Sequence, residues 1–127
     1  MTYIELVEKW LAAFGSGVDK KIIDEHVTSE YNYLWHLFTW GNAACLEGDE
    51  ARDAFNKLHY TDAIKFHDGY GSYIEDVSFV VGKVSAKEID EDPGRDVYLV
   101  GTDFSWTYVR THEPDFGPYL CIKKELM

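Results

Sequence analysis

Five histidines and the acids beside them are the residues of this chain that could move a proton or hold a ligand. His112 is followed directly by Glu113, and His36 lies inside the aromatic run Tyr31–Trp40 (YNYLWHLFTW). A histidine with a carboxylate in reach can serve as a general base or a metal ligand, because imidazole is the side chain whose charge changes near neutral pH. His36, His112 and Glu113 are therefore the candidate catalytic residues. If His36 and His112 stand on adjacent central strands, they converge in a pocket walled by Trp40, Trp106 and Tyr108. Two simpler readings compete: His36 as a core histidine satisfied by a carboxylate or backbone group, and His112 as a histidine hydrogen-bonded to a loop. Neighbouring residues in a strand also point to opposite faces, so His112 and Glu113 share a site only if the strand ends between them. His59 and His67, beside Tyr60 and Asp68, read as solvated ends of elements.

No His-x-x-x-His helix motif, Gly-x-Ser-x-Gly elbow, glycine-rich phosphate loop or calcium loop occurs. Neither a metal site nor a cofactor is predicted. The two cysteines, Cys45 and Cys121, form no Cys-x-x-Cys pair, so they read as free thiols in a reducing compartment, with Cys121 an inert core residue between Leu120 and Ile122.

The elements that must position these side chains begin with a helical pair. Thr2 and Glu5 form a capping box, and Tyr3, Val7, Trp10 and Phe14 recur at helical spacing, which predicts a helix over Tyr3–Phe14 that Gly15 ends. Ser16 and Asp19 can cap a second short helix carrying Val18, Ile22, Ile23 and Val27. Tyr31–Trp40 is bulky on both alternating faces. A helix could hold the same residues, but the aromatic enrichment favours a central strand covered on both sides. Glu47–Glu50 leads into Ala51, Ala54, Phe55 and Leu58, a short amphipathic helix with acids in its first turn. Strands are predicted over Ala63–His67 and Ser72–Val81, with a turn at 68–71 between them. Ser85–Arg95 reads as a solvated loop, or a frayed helical turn and then a loop, and as the most mobile segment. Asp96–Val100 and Ser105–Thr111 make the clearest hairpin, and a last strand runs over Tyr119–Lys123. The expected fold is α+β in one domain: an N-terminal helical pair and one short internal helix on a largely antiparallel sheet of about five or six strands.

On the hairpin strand, Trp106, Tyr108 and Arg110 alternate onto one face. These are the types enriched at binding hot spots, so with Trp40 they are the candidate binding residues. The alternative is that Trp106 and Tyr108 pack beneath helices and only Arg110 is exposed.

Charge bounds the partners. With 23 acidic and 12 basic residues among 127, the net charge is −11, and such a chain repels nucleic-acid phosphates. It speeds encounter with a basic protein, the partner class that charge favours. No apolar run is long enough to span a membrane and the first residues lack signal-peptide character, so a cytoplasmic location is expected.

Tyr33–Trp40 (YLWHLFTW), Cys45–Ala51 (CLEGDEA) with Phe55 after it, Asp96–Val100 (DVYLV), Trp106–Glu113 (WTYVRTHE) and Gly117–Tyr119 (GPY) together resemble the pattern of a family of small uncharacterised bacterial proteins found mainly in bacilli and relatives, a domain of unknown function. The resemblance covers about Tyr31 to Leu120 and leaves the N-terminal helical pair outside. It implies a bacterial, cytoplasmic, single-domain protein and supplies no activity or catalytic residues.

Three function classes follow. A non-enzymatic protein-binding module ranks first, with an immunity protein against a basic toxin as its sharpest form. A small-ligand binder or hydrolase-like enzyme using His36 and His112 in an aromatic pocket comes second. A structural or regulatory homodimer that buries the aromatic sheet face is the third. The deciding feature is whether His36 and His112 meet near a carboxylate or are sealed apart in the core.

Overall fold

The computed structural model describes residues 2–29, 32–39, 43–67 and 77–123. Its centre is a six-stranded antiparallel sheet in the order β1-β6-β5-β4-β2-β3. The strands are β1 (Leu46–Glu47), β2 (Asp62–His67), β3 (Val77–Val81), β4 (Val97–Gly101), β5 (Trp106–Arg110) and β6 (Tyr119–Ile122). Among the described residues, four helices, α1 (Tyr3–Phe14), α2 (Lys20–Ile22), α3 (Asp49–Lys57) and α4 (Ala86–Asp90), complete the α+β fold, and α2 runs on into a π-helical turn at Ile23–Val27. The predicted class and the helical pair are met.

Helix α1 starts where Thr2 accepts from the Glu5 N–H while Glu5 reaches back to the Thr2 N–H. Its buried face, Leu6, Trp10 and Phe14, lies on one side of the sheet against Phe66, Tyr98, Val100, Val109 and Tyr119. Trp10 anchors that layer: it is fully buried, meets Phe38, Phe66 and Tyr98 edge-on, and donates from Nε1 to Thr107 Oγ1 at 2.9 Å. Thr107 in turn donates to the Leu99 carbonyl at 2.7 Å, so a polar pair inside the core is fully used. At Gly15 a Cβ would stand 2.9 Å from the Leu11 carbonyl, which only glycine avoids at this tight helix end.

The other face of the sheet carries α3 and α4. Ala51 and Phe55 of α3 and Ala86 and Ile89 of α4 pack with Ala63, Val97, Leu99, Trp106, Tyr108 and Leu120. Covered from both sides, β4 is buried at every residue, the expected property of a central strand.

The reading of Tyr31–Trp40 as a strand is corrected. Leu34–Leu37 form a 3₁₀ turn, and Tyr31 and Trp40 lie outside the described residues. Leu34, Trp35, Leu37 and Phe38 are all buried. Side chains radiate on every side of a tight turn, so it buries consecutive bulky residues as a doubly covered strand would. Burial alone therefore did not select the strand. The turn is tied to the sheet by the Trp35 N–H, which donates to Tyr98 Oη at 3.0 Å.

Strand β1 was not predicted. Of the Ser72–Val81 strand, Val77–Val81 is present and the rest, with the 68–71 turn, lies outside the described residues. The Ser85–Arg95 segment takes the helical-turn form: Ser85 and Glu88 make a capping box for α4. It is well tied down, as the geometry around Arg110 and Asp92 shows.

Candidate functional site

Beyond the end of β5 the chain turns on Thr111. Its hydroxyl accepts from the Glu113 N–H at 3.2 Å and stands 2.9 Å from the Glu113 carbonyl and 2.5 Å from that of Phe116. The strand has ended at Arg110, so the alternation that would separate His112 from Glu113 no longer applies. His112 Nε2 and Glu113 Oε1 are 3.2 Å apart.

The ring's other nitrogen is held by Asp96, which precedes β4. Asp96 is 4% exposed, and its Oδ1 accepts both the His112 backbone N–H and the Nδ1 side of the ring, each at 2.9 Å. An ionised carboxylate can only accept, so this contact assigns a proton to Nδ1. The imidazole thus sits between a buried carboxylate and a half-exposed one. In the imidazolium form both N–H groups have acceptors. In the neutral form Nε2 presents a lone pair to Glu113.

The 3₁₀ turn supplies the wall. Tyr33 meets the His112 ring edge-on at 4.9 Å and stacks on Trp35 at 5.7 Å. His36 lies against the same two rings, 4.1 Å from Trp35 and 6.2 Å from Tyr33. Thr39 Oγ1 donates to the His36 carbonyl and is 3.2 Å from His36 Nδ1. Burial lowers the His36 basicity, and the Asp96 charge opposes that shift, so one carboxylate's field reaches both histidines. His36 and His112 are brought to one aromatic cluster, by a turn and a strand end where two strands were expected. Trp35 Nε1 is a buried donor with no partner among the described residues, a group costing about 1–3 kcal/mol when left unmade.

The aromatic face of β5 is placed differently. Trp106 and Tyr108 are buried beneath α3, with Tyr108 stacked on Phe55 at 4.1 Å. Arg110 is half-buried and spent on backbone: Nε donates to the Ile89 carbonyl, Nη1 to that of Arg95, and Nη2 to those of Asp92 and Gly94, all within 3.3 Å. Trp40 lies outside the described residues. Trp106 also lines the floor of a surface depression of about 260 Å³, with His59, Tyr60, Asp62 and Asp103 around it.

A second buried-charge cluster was missed in the sequence. Asp92 accepts from Lys65 Nζ at 2.9 Å and from the Gly94 N–H at 2.8 Å, and is 3.4 Å from His67 Nε2. Burial works to raise the Asp92 carboxyl, and the hydrogen bonds from Lys65, Gly94 and His67 override it, holding the group at about 2. His67 is therefore half-buried rather than a solvated end, while His59 is exposed. A Cβ at Gly94 would fall 2.3 Å from the His67 ring, so the turn closes only with glycine. Asp68 lies outside the described residues.

Asp96 was missed too, although the hairpin contained the signal. Pairing Val97 with Arg110 sets Asp96 opposite Thr111, one residue from His112. Among the described residues, no group of three or more His, Cys, Asp or Glu side chains is arranged to hold a metal ion. No helix there is long and apolar enough to cross a membrane.

The comparisons agree with the resemblance read from the sequence. A family model described as a domain of unknown function, DUF4275, matches residues 3–120, a span that includes the N-terminal helical pair. No curated protein and no solved structure matches the chain.

Proposed function

We propose that this chain, which belongs to the DUF4275 family of domains of unknown function, binds a small ligand at His112 and exchanges a proton with it. The observation that carries the reading is the Asp96–His112–Glu113 arrangement, with ring contacts of 2.9 and 3.2 Å. Asp96 fixes the ring and its Nδ1 proton, as the orienting carboxylate of a general base does. Glu113 covers Nε2 while the ring is charged. The neutral ring offers a lone pair at Nε2, and the Glu113 side chain beside it is 49% exposed, with room in water when a ligand takes that nitrogen. Tyr33, Trp35 and His36 form the wall beside it. A mostly apolar wall with a few aimed polar groups suits a small molecule.

A second reading, a module for a basic protein, is favoured by the depression over Trp106. There Tyr60 and Trp106 adjoin Asp62 and Asp103, a combination suited to a Lys or Arg side chain through cation–π and charge contacts. The net charge of −11 would speed that encounter, and an immunity protein is one form it could take.

One titration separates the two. Backbone and histidine-ring NMR spectra are followed while small carboxylic acids, amines and phosphate esters, and separately an oligolysine peptide, are added. Saturable shifts at His112 and Tyr33 with a small molecule, lost in His112→Ala, are expected. Shifts confined to His59, Tyr60 and Trp106 with oligolysine would put the partner-binding reading in its place.

A further inference from the structure

Cys45 and Cys121 are both free and half-buried, and the β1–β6 ladder determines how they meet. Leu46 pairs with Leu120 and Glu47 with Tyr119, and the Gly48 N–H donates to the Pro118 carbonyl at 2.8 Å. Antiparallel ladders alternate hydrogen-bonded with non-hydrogen-bonded pairs. The 48–118 pair is hydrogen-bonded, so 47–119 is not and 46–120 is. Carried one step past the paired residues, the same register sets Cys45, just before β1, opposite Cys121 at a non-hydrogen-bonded position.

That position is where facing Cα atoms come closest, about 4.5 Å, inside the range of about 4.4–6.8 Å that a disulfide spans. The side chains also share a side of the sheet, since both pack against the core under α1. Cys121 acts on the Cys45 thiol: burial first, then the Cys121 charge and the Glu47 charge, push it up to about 12, while burial alone raises the Cys121 thiol.

We propose that Cys45 and Cys121 form a reversible cross-strand disulfide by exchange with a small-molecule disulfide such as oxidised glutathione. One thiolate attacks the reagent's S–S bond, forming a mixed disulfide and releasing one glutathione thiolate. The second cysteine's thiolate attacks the protein sulfur of that mixed disulfide and releases the other. The two protein thiols are oxidised, the reagent is reduced to two thiols, and the two protons lost by the cysteines end on them. The bond fastens β1, a two-residue edge strand, and the start of α3 to β6. The elevated Cys45 thiol makes the reaction slow at neutral pH and about tenfold faster per pH unit above it, because only thiolate attacks.

The folded protein is incubated with oxidised glutathione at alkaline pH and followed by intact mass and by peptide mapping. The expected product is a monomer lighter by two hydrogens, with Cys45 linked to Cys121 and a thermal midpoint above that of the reduced protein. Cys45→Ser and Cys121→Ser each stop at one stable glutathione adduct. Accumulation of a doubly glutathionylated chain, of disulfide-linked dimers, or of unmodified thiols under conditions that oxidise the urea-unfolded chain would overturn the proposal.

Discussion

At the scale of single residues, two carboxylates define the chemistry of this protein, and they do different work. Asp96 spends its Oδ1 on one histidine, through both backbone and ring, and so orients a half-buried side chain just beyond β5. Asp92 gathers Lys65, His67 and the Gly94 N–H, which ties β2 to the turn after α4. Because the folded Asp92 carboxyl sits at about 2 against an ordinary 3.8, the unfolded chain takes up its proton more readily. Its contribution is therefore complete above the unfolded value and is lost as pH falls from about 4 through about 2. With the side chain keeping some contact with water, that contribution is on the order of 1 kcal/mol. Asp92→Asn should lower the stability at neutral pH by about that amount and flatten the loss between pH 4 and pH 2, read by denaturant titration across the acid range. An unchanged acid slope would remove Asp92 from the account.

Among the elements, the short α4 segment depends most on long-range help. Five residues make an unstable helix alone, and α4 is held by its capping box, by Ala86 and Ile89 in the core, and by the Arg110 guanidinium, which donates to four carbonyls between Ile89 and Arg95. A lysine ammonium cannot span that set. Arg110→Lys should therefore cost about 1–3 kcal/mol and speed amide exchange over 89–95 before the rest of the sheet opens. Uniform protection in the variant would contradict this. The sequence shows Arg110 alternating with Trp106 and Tyr108, and three hot-spot types on one face look like a binding stripe. What no residue pattern displays is that α3 and α4 cover that face and turn its arginine inward. The hairpin, the last strand, the capping boxes and the helical pair were readable because they rest on local periodicity and caps. The 3₁₀ turn at Leu34–Leu37 and the edge strand β1 were not, since a run buried on all sides carries no period and a two-residue strand exists only through its partner. In the same way His36, His112 and Glu113 were legible as residue types, whereas Asp96 required the hairpin register to be carried one step further.

For the whole molecule, central strands covered on both faces leave the edge strands, the strand ends and the connecting turns to meet solvent. The Asp96–His112–Glu113 group lies where β5 ends and Asp96 leads into β4, and the depression over Trp106 lies by the β4–β5 turn at the hairpin's other end. A chain carrying −11 overall attracts cationic visitors at long range. The central claim is that Asp96 locks the proton on His112 Nδ1, so that Nε2 is the nitrogen that gains and loses one. The most direct measurement is the long-range ¹H–¹⁵N spectrum of the histidine rings, followed from mildly acid to mildly alkaline pH in the wild type and in Glu113→Gln. The account predicts that Nδ1 stays protonated throughout while Nε2 alone changes. A neutral ring carrying its proton on Nε2, with Nδ1 bare against Asp96, would contradict it.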